Sequence, residues 1–518
     1  MARFLGLFVI TLIFVSQCES ARILGFFPSP SKSHILVHTS LADALSEKGH
    51  DVTVVTIVPI LKKNKQYRHI QLDVVGLEKD YHGKLINDPS GPNYKNFARL
   101  ISQVTTSANA SINNPVFKEM MDKESFDLVI LGYFFNEFHF GVAAHFECPL
   151  VISFMNQPIT LTNKMIGNPA EVAYVPNLML GGKQPLGFWD RLKNTVVGLL
   201  ADEVLSPLMM EKRQQELYDA NFPADKYPSF DEMKKNVSLV FVNHHFSQGP
   251  IRPNVPAMVE IGGIQIKEKP APLPEDLKKI LDNAKNGVVY FSFGSNVQGK
   301  YLDKVKAKLM FDILSKLKQT VLWKWDDSPP PGQSPNIHYK TWLPQDDILA
   351  HPNVRLFITH GGAGSVVESQ YHGVPMVGIP LFAEQFTNVD TMVKAGYGVG
   401  VEFATISSET FGNGVNEVLT NPVYRNNVQR FSKLYKDRPM TAKQTVVYWT
   451  EYILRHHGAP HMQSPAVHMN TLQLASLDVI GFLLAVIYIV YKVCKIVIMF
   501  IWSKLFSKKN KNSKNKKE

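Results

Sequence analysis

Val354-Arg-Leu-Phe-Ile-Thr359 runs straight into His360-Gly361-Gly362-Ala363-Gly364-Ser365, and this junction decides the fold. The first six residues form a short, largely apolar run that reads as a buried strand. The glycines that follow sit where a chain turns from strand into helix. Such a turn lets backbone N–H groups approach a phosphate, and the helix N-terminus behind it adds a favourable partial charge. On these residues alone two ligands compete. Gly362-x-Gly364-x-x-Val367 matches two of the three glycines of a dinucleotide fingerprint, with Glu384 about 20 residues further on. Against it stand Val367, where close helix packing wants Gly or Ala, and a position deep in the second half of the chain. The competing ligand is a nucleoside diphosphate sugar.

Outward from this junction the chain alternates between strand and helix patterns. Arg22–Phe27 reads as a strand, and Ser33–Lys48 as a helix with Ile35, Leu36, Leu41 and Leu45 on one side and Gly49 as its stop. Asp51–Val58, Asp127–Leu131 and Leu150–Phe154 repeat the strand pattern. Lys267-Glu-Lys-Pro-Ala-Pro-Leu-Pro274 is the best linker candidate. After it the alternation restarts: strand Gly287–Phe293 ending in Gly294-Ser295, helix Leu302–Leu317, strand Thr320–Trp325. Strands separated by helices predict α/β architecture with parallel sheets covered on both faces. The expectation is two doubly wound domains, 21–270 and 271–465, with the ligand in the crevice between them at the strand C-termini.

The ends place the chain in a membrane. Residues 1–20 hold Arg3, an apolar run from Phe4 to Val15 and Cys18-Glu-Ser20, the pattern of a secretory signal cleaved before Ala21. Val479–Trp502 is apolar except for Lys492 and Lys495, long enough to cross a bilayer of ~30 Å. The expected span is 477–502, followed by a lysine-rich tail, 503–518. Formal charge is +10, but Lys492–Glu518 contributes +8 of it. A nucleic-acid partner is thereby excluded, since its basic charge would spread over a folded face. Positive charge after the span marks the cytosolic side, which predicts a lumenal body and a single pass. Lys514 and Lys516 resemble an endoplasmic reticulum retrieval signal, and Asn109-Ala-Ser111 and Asn236-Val-Ser238 are glycosylation sequons. Three cysteines, two of them in the apolar ends, rule out a disulfide scaffold. The apolar stretches between Asn177 and Met210 read as core, as an acceptor-pocket wall or as a patch lying on the membrane.

The longer motif, Phe357-Ile-Thr-His360-Gly-Gly-x-Gly-Ser365-x-x-Glu368-x6-Pro375-Met-Val-x-x-Pro380-Leu-x-x-Glu384-Gln385, resembles the signature of the UDP-glycosyltransferases. Trp342-Leu-Pro-Gln345, the signal, the span and the lysine tail agree with it. The chain looks closest to the animal, membrane-bound members, with insect-like details. The resemblance implies two facing Rossmann-like domains (GT-B architecture) and a C-terminal transmembrane helix, with donor in the second domain and acceptor in the first. It implies that Trp342 stacks on uracil, that Gln345 bonds the base or ribose, and that Glu368 accepts from ribose hydroxyls. Ser295, His360 and the backbone of Gly361, Gly362, Gly364 and Ser365 would hold the diphosphate, where negative charge builds as the sugar bond breaks. Glu384 and Gln385 would bind sugar hydroxyls. Many relatives carry Asn where Gly364 stands and Asp where Glu384 stands.

Transfer to a hydroxyl needs a base near pH 7. His34, opening the first helix, matches the family's catalytic histidine, while His38 and His50 read as structural. The aspartate that usually orients this base falls at Gly132, so Glu137 is the expected partner of His34. His34 and His38 lack a third ligand, and the family needs no metal and no cofactor beyond the UDP-sugar. The position that would read a glucuronate carboxylate aligns with Val242, which favours UDP-glucose, with glucuronate as the alternative. The acceptor, drawn from Lys62–Val104 and Thr160–Trp189, is expected to be a small lipophilic hydroxyl compound, as in detoxification, with membrane lipid or sterol as a further choice. A homo- or hetero-oligomer is compatible with the sequence. The non-enzyme alternative is an inactive relative that binds hydrophobic ligands or serves as a partner subunit.

Overall fold

A computed structural model describes residues 20–60, 66–74, 94–177, 180, 184–200, 210–295, 297–382 and 384–514. The expected signal segment before Ser20, much of the expected acceptor segment 62–104, residues 201–209 of the apolar stretch and the last four tail residues lie outside them.

Seven strands form the first sheet: β1 (Arg22–Phe27), β2 (Asp51–Thr56), β3 (Arg68–Gln71), β4 (Leu128–Gly132), β5 (Leu150–Phe154), β6 (Val237–Val242) and β7 (Met258–Glu260). Their order is β3-β2-β1-β4-β5-β6-β7. A second sheet holds β8 (Val288–Ser292), β9 (Thr320–Lys324), β10 (Ile337–Lys340), β11 (Val354–Thr359), β12 (Met376–Gly378) and β13 (Gly398–Gly400), ordered β10-β9-β8-β11-β12-β13. Every pairing among these strands is parallel. The composition explains why. β4, β5 and β8 are buried along their whole length, which suits strands covered by helices on both faces. The helix after β1 spans Lys32–Lys48 and stops at Gly49, whose φ of 107° lets its N–H turn back to Leu45 and Ser46 carbonyls.

In each sheet the chain order reverses beside the first strand, between β1 and β4 and between β8 and β11. Helices leave the strand C-termini in opposite directions there and open a crevice. The linker at Lys267–Pro274 is pinned to the second domain. Lys267 N–H donates to Asp346 Oδ2 at 3.0 Å and Ala271 N–H to Asp347 Oδ1 at 2.7 Å.

The expected second domain, 271–465, includes a helix that packs on the first. Helix Ala442–Arg455 returns to the first domain and buries Ala442, Val446 and Ile453 in its core, and the Lys443 ammonium lies 2.9 Å from the Glu47 carboxylate. The sequence pattern shows an amphipathic helix but not which domain it covers. Ile453 is fully buried, so Ile453→Ala is expected to cost about 2–5 kcal/mol of stability, read by chemical denaturation.

Residues Ser464–Glu518 form a separate unit. Its helix runs Leu477–Lys514, and the 29 residues Leu477–Leu505 hold an 18-residue window with a mean hydropathy of 2.3. At ~1.5 Å per residue that stretch reaches roughly 44 Å, enough to cross a hydrocarbon core. The core reading of the stretch between Asn177 and Met210 does not hold for helix Phe188–Gly198. There Phe188 is 62% and Trp189 70% exposed.

Candidate functional site

The switch point of the second sheet carries the sequence motif. β8 and β11 are neighbours, in register up to Ser292 and Thr359, so Gly294-Ser295 and His360-Gly361-Gly362 emerge side by side. Gly294 and Gly361 both have φ of +79°, a left-handed conformation that favours glycine. Steric room is a second requirement. A Cβ on Gly294 would fall 2.6 Å from the His360 ring, and one on Gly362 would fall 2.5 Å from it. The two glycines therefore cradle an imidazole as well as turning the chain. Burial, with Lys324 adding repulsion, lowers the His360 pKa to about 4, so the ring is neutral at pH 7.

Helix Ala363–His372 starts at Gly362, where no side chain caps the first amides. Those N–H groups and the positive end of the helix dipole are available to an anion. Asn388 Nδ2 donates to the Gly361 carbonyl at 2.9 Å and ties the glycine turn to helix Gln385–Lys394. Lys324 ends β9, donates to the Gly294 carbonyl at 2.9 Å and lies 5.2 Å from the centroid of Trp342. Burial, then repulsion from Lys32 of the first domain, lowers the Lys324 pKa to about 8. It still supplies positive charge beside the turn at neutral pH.

Trp342, Gln345, Ser365 and Glu368 converge next to it. Trp342 is 53% exposed, a large aromatic face open to a ligand. Gln345 Nε2 donates to Ser365 Oγ at 3.1 Å and to Glu368 Oε2 at 2.8 Å, while Tyr290 Oη donates to Gln345 Oε1 at 3.2 Å. Burial and the nearby Asp346 carboxylate push the Glu368 pKa up to about 7. At neutral pH the carboxyl is thus only partly ionised until a further hydrogen-bond donor stabilises its charge. Gln385 is more constrained than the sequence suggests, for its Oε1 accepts N–H groups of Leu381 at 2.9 Å and Phe382 at 3.2 Å. Glu384 stands at the N-terminus of the same helix without a capping side-chain bond, and burial raises its pKa. Gly364 is open: a Cβ there meets only Gln265 Nε2, at 3.9 Å.

In the first domain His34 stands in the first turn of helix Lys32–Lys48, directly after β1. Its Nδ1 is 2.9 Å from Ser29 Oγ, and its ring meets Phe134 edge-on with centroids 4.7 Å apart. Glu137 does not show the expected contact. Its Oε1 accepts from Tyr133 Oη at 2.5 Å, its Oε2 is buried without a hydrogen-bond partner, and burial raises its pKa. His38 binds Ser153 Oγ at 2.7 Å, and burial takes its pKa down to about 3, a neutral structural imidazole. Val242 corrects another expectation. It is fully buried in β6, so its side chain belongs to the core and does not line the crevice. Of the two sequons, Asn236 is exposed ahead of β6, whereas Asn109 is half-buried within helix Tyr94–Ile112 and receives Asn113 Nδ2 at 3.2 Å.

A cavity of roughly 340 Å³ opens between the domains, lined by Gln157, His244 and Gln248 on one side and Ala363, Gln370 and Asn388 on the other. Gln248 Nε2 crosses it to Gln370 Oε1 at 3.1 Å. Among the described residues no group of three or more His, Cys, Asp or Glu is placed to hold a metal ion. Lys324, Tyr290, Asn388 and Ser29 escaped the sequence reading. Lys324 had a signal, since it precedes Trp325 at the C-terminal end of an expected strand.

Residues 27–512 match a family model described as "UDP-glucoronosyl and UDP-glucosyl transferase". The chain is 33% identical over 515 residues to "UDP-glycosyltransferase UGT5" of Dactylopius coccus, covering 97% of each. It is 30% identical over 508 residues to "UDP-glucuronosyltransferase 2B33" of Macaca mulatta, covering 93% of this chain and 94% of that one. Among solved structures, a UDP-glucosyltransferase from Polygonum tinctorium superposes with a TM-score of 0.58 at 16% identity, covering 85% of this chain and 100% of the other. The calicheamicin glycosyltransferase CalG4 gives 0.55 at 16% identity, over 85% and 99%. These two likenesses concern the two-domain fold.

Proposed function

Since the chain belongs to the UDP-glucuronosyl and UDP-glucosyl transferase family, we propose that it moves glucose from UDP-glucose to the hydroxyl of a small lipophilic acceptor, with inversion. The observation that carries this reading is the pairing of the two switch points. One presents the amides after Gly362 with Lys324 beside them, and the other presents His34.

In the proposed reaction uracil stacks on Trp342, and ribose hydroxyls donate to Glu368 beside Gln345. The diphosphate lies on the turn Gly361–Ser365, near His360, Ser295 and Lys324. Glu384 and the remaining amide hydrogens of Gln385 face the sugar. The acceptor oxygen attacks the anomeric carbon as its proton passes to His34. The bond from that carbon to the β-phosphate oxygen breaks, and its electron pair leaves on UDP. Fixed donors aimed at that oxygen act where charge develops, which is where they lower the barrier. Attack opposite the leaving group gives the β-glycoside.

Glucose as the donor sugar draws no support from the buried Val242. Its support is the likeness to an insect relative named "UDP-glucosyltransferase 2", 33% identical over 516 residues. The reading also places the body in the endoplasmic reticulum lumen. It is anchored there by the apolar helix, with Asn236 the sequon open to glycosylation.

The test is an assay of membranes carrying the full chain, offered UDP-glucose, UDP-glucuronate and UDP-galactose with a panel of phenols and steroids. Turnover at least about tenfold faster with UDP-glucose is expected, roughly the discrimination of one well-placed polar contact. Faster turnover with UDP-glucuronate would overturn the donor, and no turnover with any donor would favour an inactive binding relative.

A further inference from the structure

Position 132 cannot supply a carboxylate, because Gly132 has no side chain. Its surroundings are also filled. A Cβ there would lie 3.0 Å from His38 Cδ2 and 3.1 Å from Phe27 Cδ1. Glu137, the next acidic residue along the chain, is engaged by Tyr133. What does reach the His34 imidazole is the Ser29 hydroxyl, 2.9 Å from Nδ1. Ser29 is 2% exposed, and its oxygen also receives the Ser31 N–H at 3.3 Å. A hydroxyl held in this way is an oriented group and not a rotor in solvent. Phe134, edge-on to the same ring, limits the imidazole on another side.

We propose that Ser29 is the positioning residue of His34: its oxygen accepts the Nδ1–H and so fixes the tautomer that keeps a lone pair on Nε2. This deepens the reading of His34 as base and rests on it. During transfer the acceptor proton moves to Nε2 as the new oxygen–carbon bond forms and the bond to UDP breaks. Nδ1–H stays on Ser29 throughout, and the imidazolium later returns its Nε2 proton to water. The wrong tautomer would present N–H where a lone pair is needed, the defect that disables a mispaired catalytic imidazole. The dependence on Ser29 grows with the difficulty of deprotonating the acceptor, because general-base assistance matters least for an acidic hydroxyl.

The experiment compares the full-length chain with Ser29→Ala, Ser29→Cys and His34→Ala. Acceptors range from nitrophenols, with pKa of about 7, to aliphatic alcohols, with pKa of about 16. Ser29→Ala is expected to lose about 10- to 50-fold on the alcohols and less than about threefold on the most acidic phenols. Its acid limb in kcat/KM should move to lower pH, because the imidazolium loses an acceptor. UDP affinity should not change. Ser29→Cys, whose sulfur is a weak acceptor, should fall between. A loss uniform across the acceptors, or an unshifted acid limb with no loss, overturns the proposal. The ratio between acceptors is read within one preparation, so a lower folded fraction does not move it. Should His34→Ala keep its transfer activity, the base reading falls and the proposal with it. Should His34→Ala be dead while Ser29→Ala loses uniformly, the proposal alone falls.

Discussion

His34→Ala should lower glycosyl transfer by about 10²–10⁴-fold, the contribution general-base catalysis normally makes, while UDP affinity stays within about twofold. The separation follows from position. His34 belongs to the first domain, after β1, whereas every proposed donor contact belongs to the second. Loss of the imidazole removes the proton acceptor but leaves the helix amides, Lys324, Trp342 and Glu368 in place. The two quantities to measure are single-turnover rate with saturating donor and UDP binding by calorimetry. A variant that loses both together would mean that His34 shapes the donor site, and one that loses neither would mean that another group takes the proton.

Glu368→Ala is expected to weaken UDP binding by about 10- to 100-fold, the worth of one or two charge-assisted hydrogen bonds from ribose hydroxyls. The affinity of the parent chain should also depend on pH. With its pKa pushed up to about 7, Glu368 is protonated below that pH in the empty site. Ribose donors favour the ionised form, so binding releases a proton and affinity rises as pH climbs from about 6 to 8. Stability runs the other way. The folded pKa of about 7 exceeds the ordinary carboxylate value of 4.5, so the folded state holds more protons across that interval. Stability from this group is full below 4.5, falls as pH rises through the interval and is flat above about 7. Glu368→Gln should remove both dependences. Calorimetric titration of UDP at pH 6 and 8, beside denaturant melts at the same pH values, checks the two signs. An affinity insensitive to pH would show that Glu368 is not the ribose acceptor.

The sequence was most legible where one physical requirement dominated. Leu150–Phe154 and Val354–Thr359 coincide with observed strands, because a parallel strand covered on both faces is a largely apolar run between breakers. The second sheet's outermost strand, Gly398-Val-Gly400, carries no such signal. It is three residues of mostly glycine, held by register with β12. Helix Ala442–Arg455 falls inside the expected bounds of the second domain, and an amphipathic pattern would say that a helix packs, not on what. The glycine turn was readable as a phosphate cradle, yet its second task, making room for the His360 ring, depends on contacts between residues 66 positions apart. Val242 misled for a related reason. Its place in β6 points it into the core, and a linear motif carries no facing. Carboxylates along the chain stand out as partners for His34, whereas a lone serine five residues upstream carries no pattern.

A crystal structure of the two α/β domains with UDP decides whether UDP on the second domain's glycine turn faces a base on the first. Uracil is expected against Trp342, ribose hydroxyls on Glu368, and the diphosphate on the amides of Gly361–Ser365 with His34 facing the β-phosphate across the crevice. UDP bound elsewhere, or a diphosphate on that turn with His34 directed away from it, would rule this mechanism out.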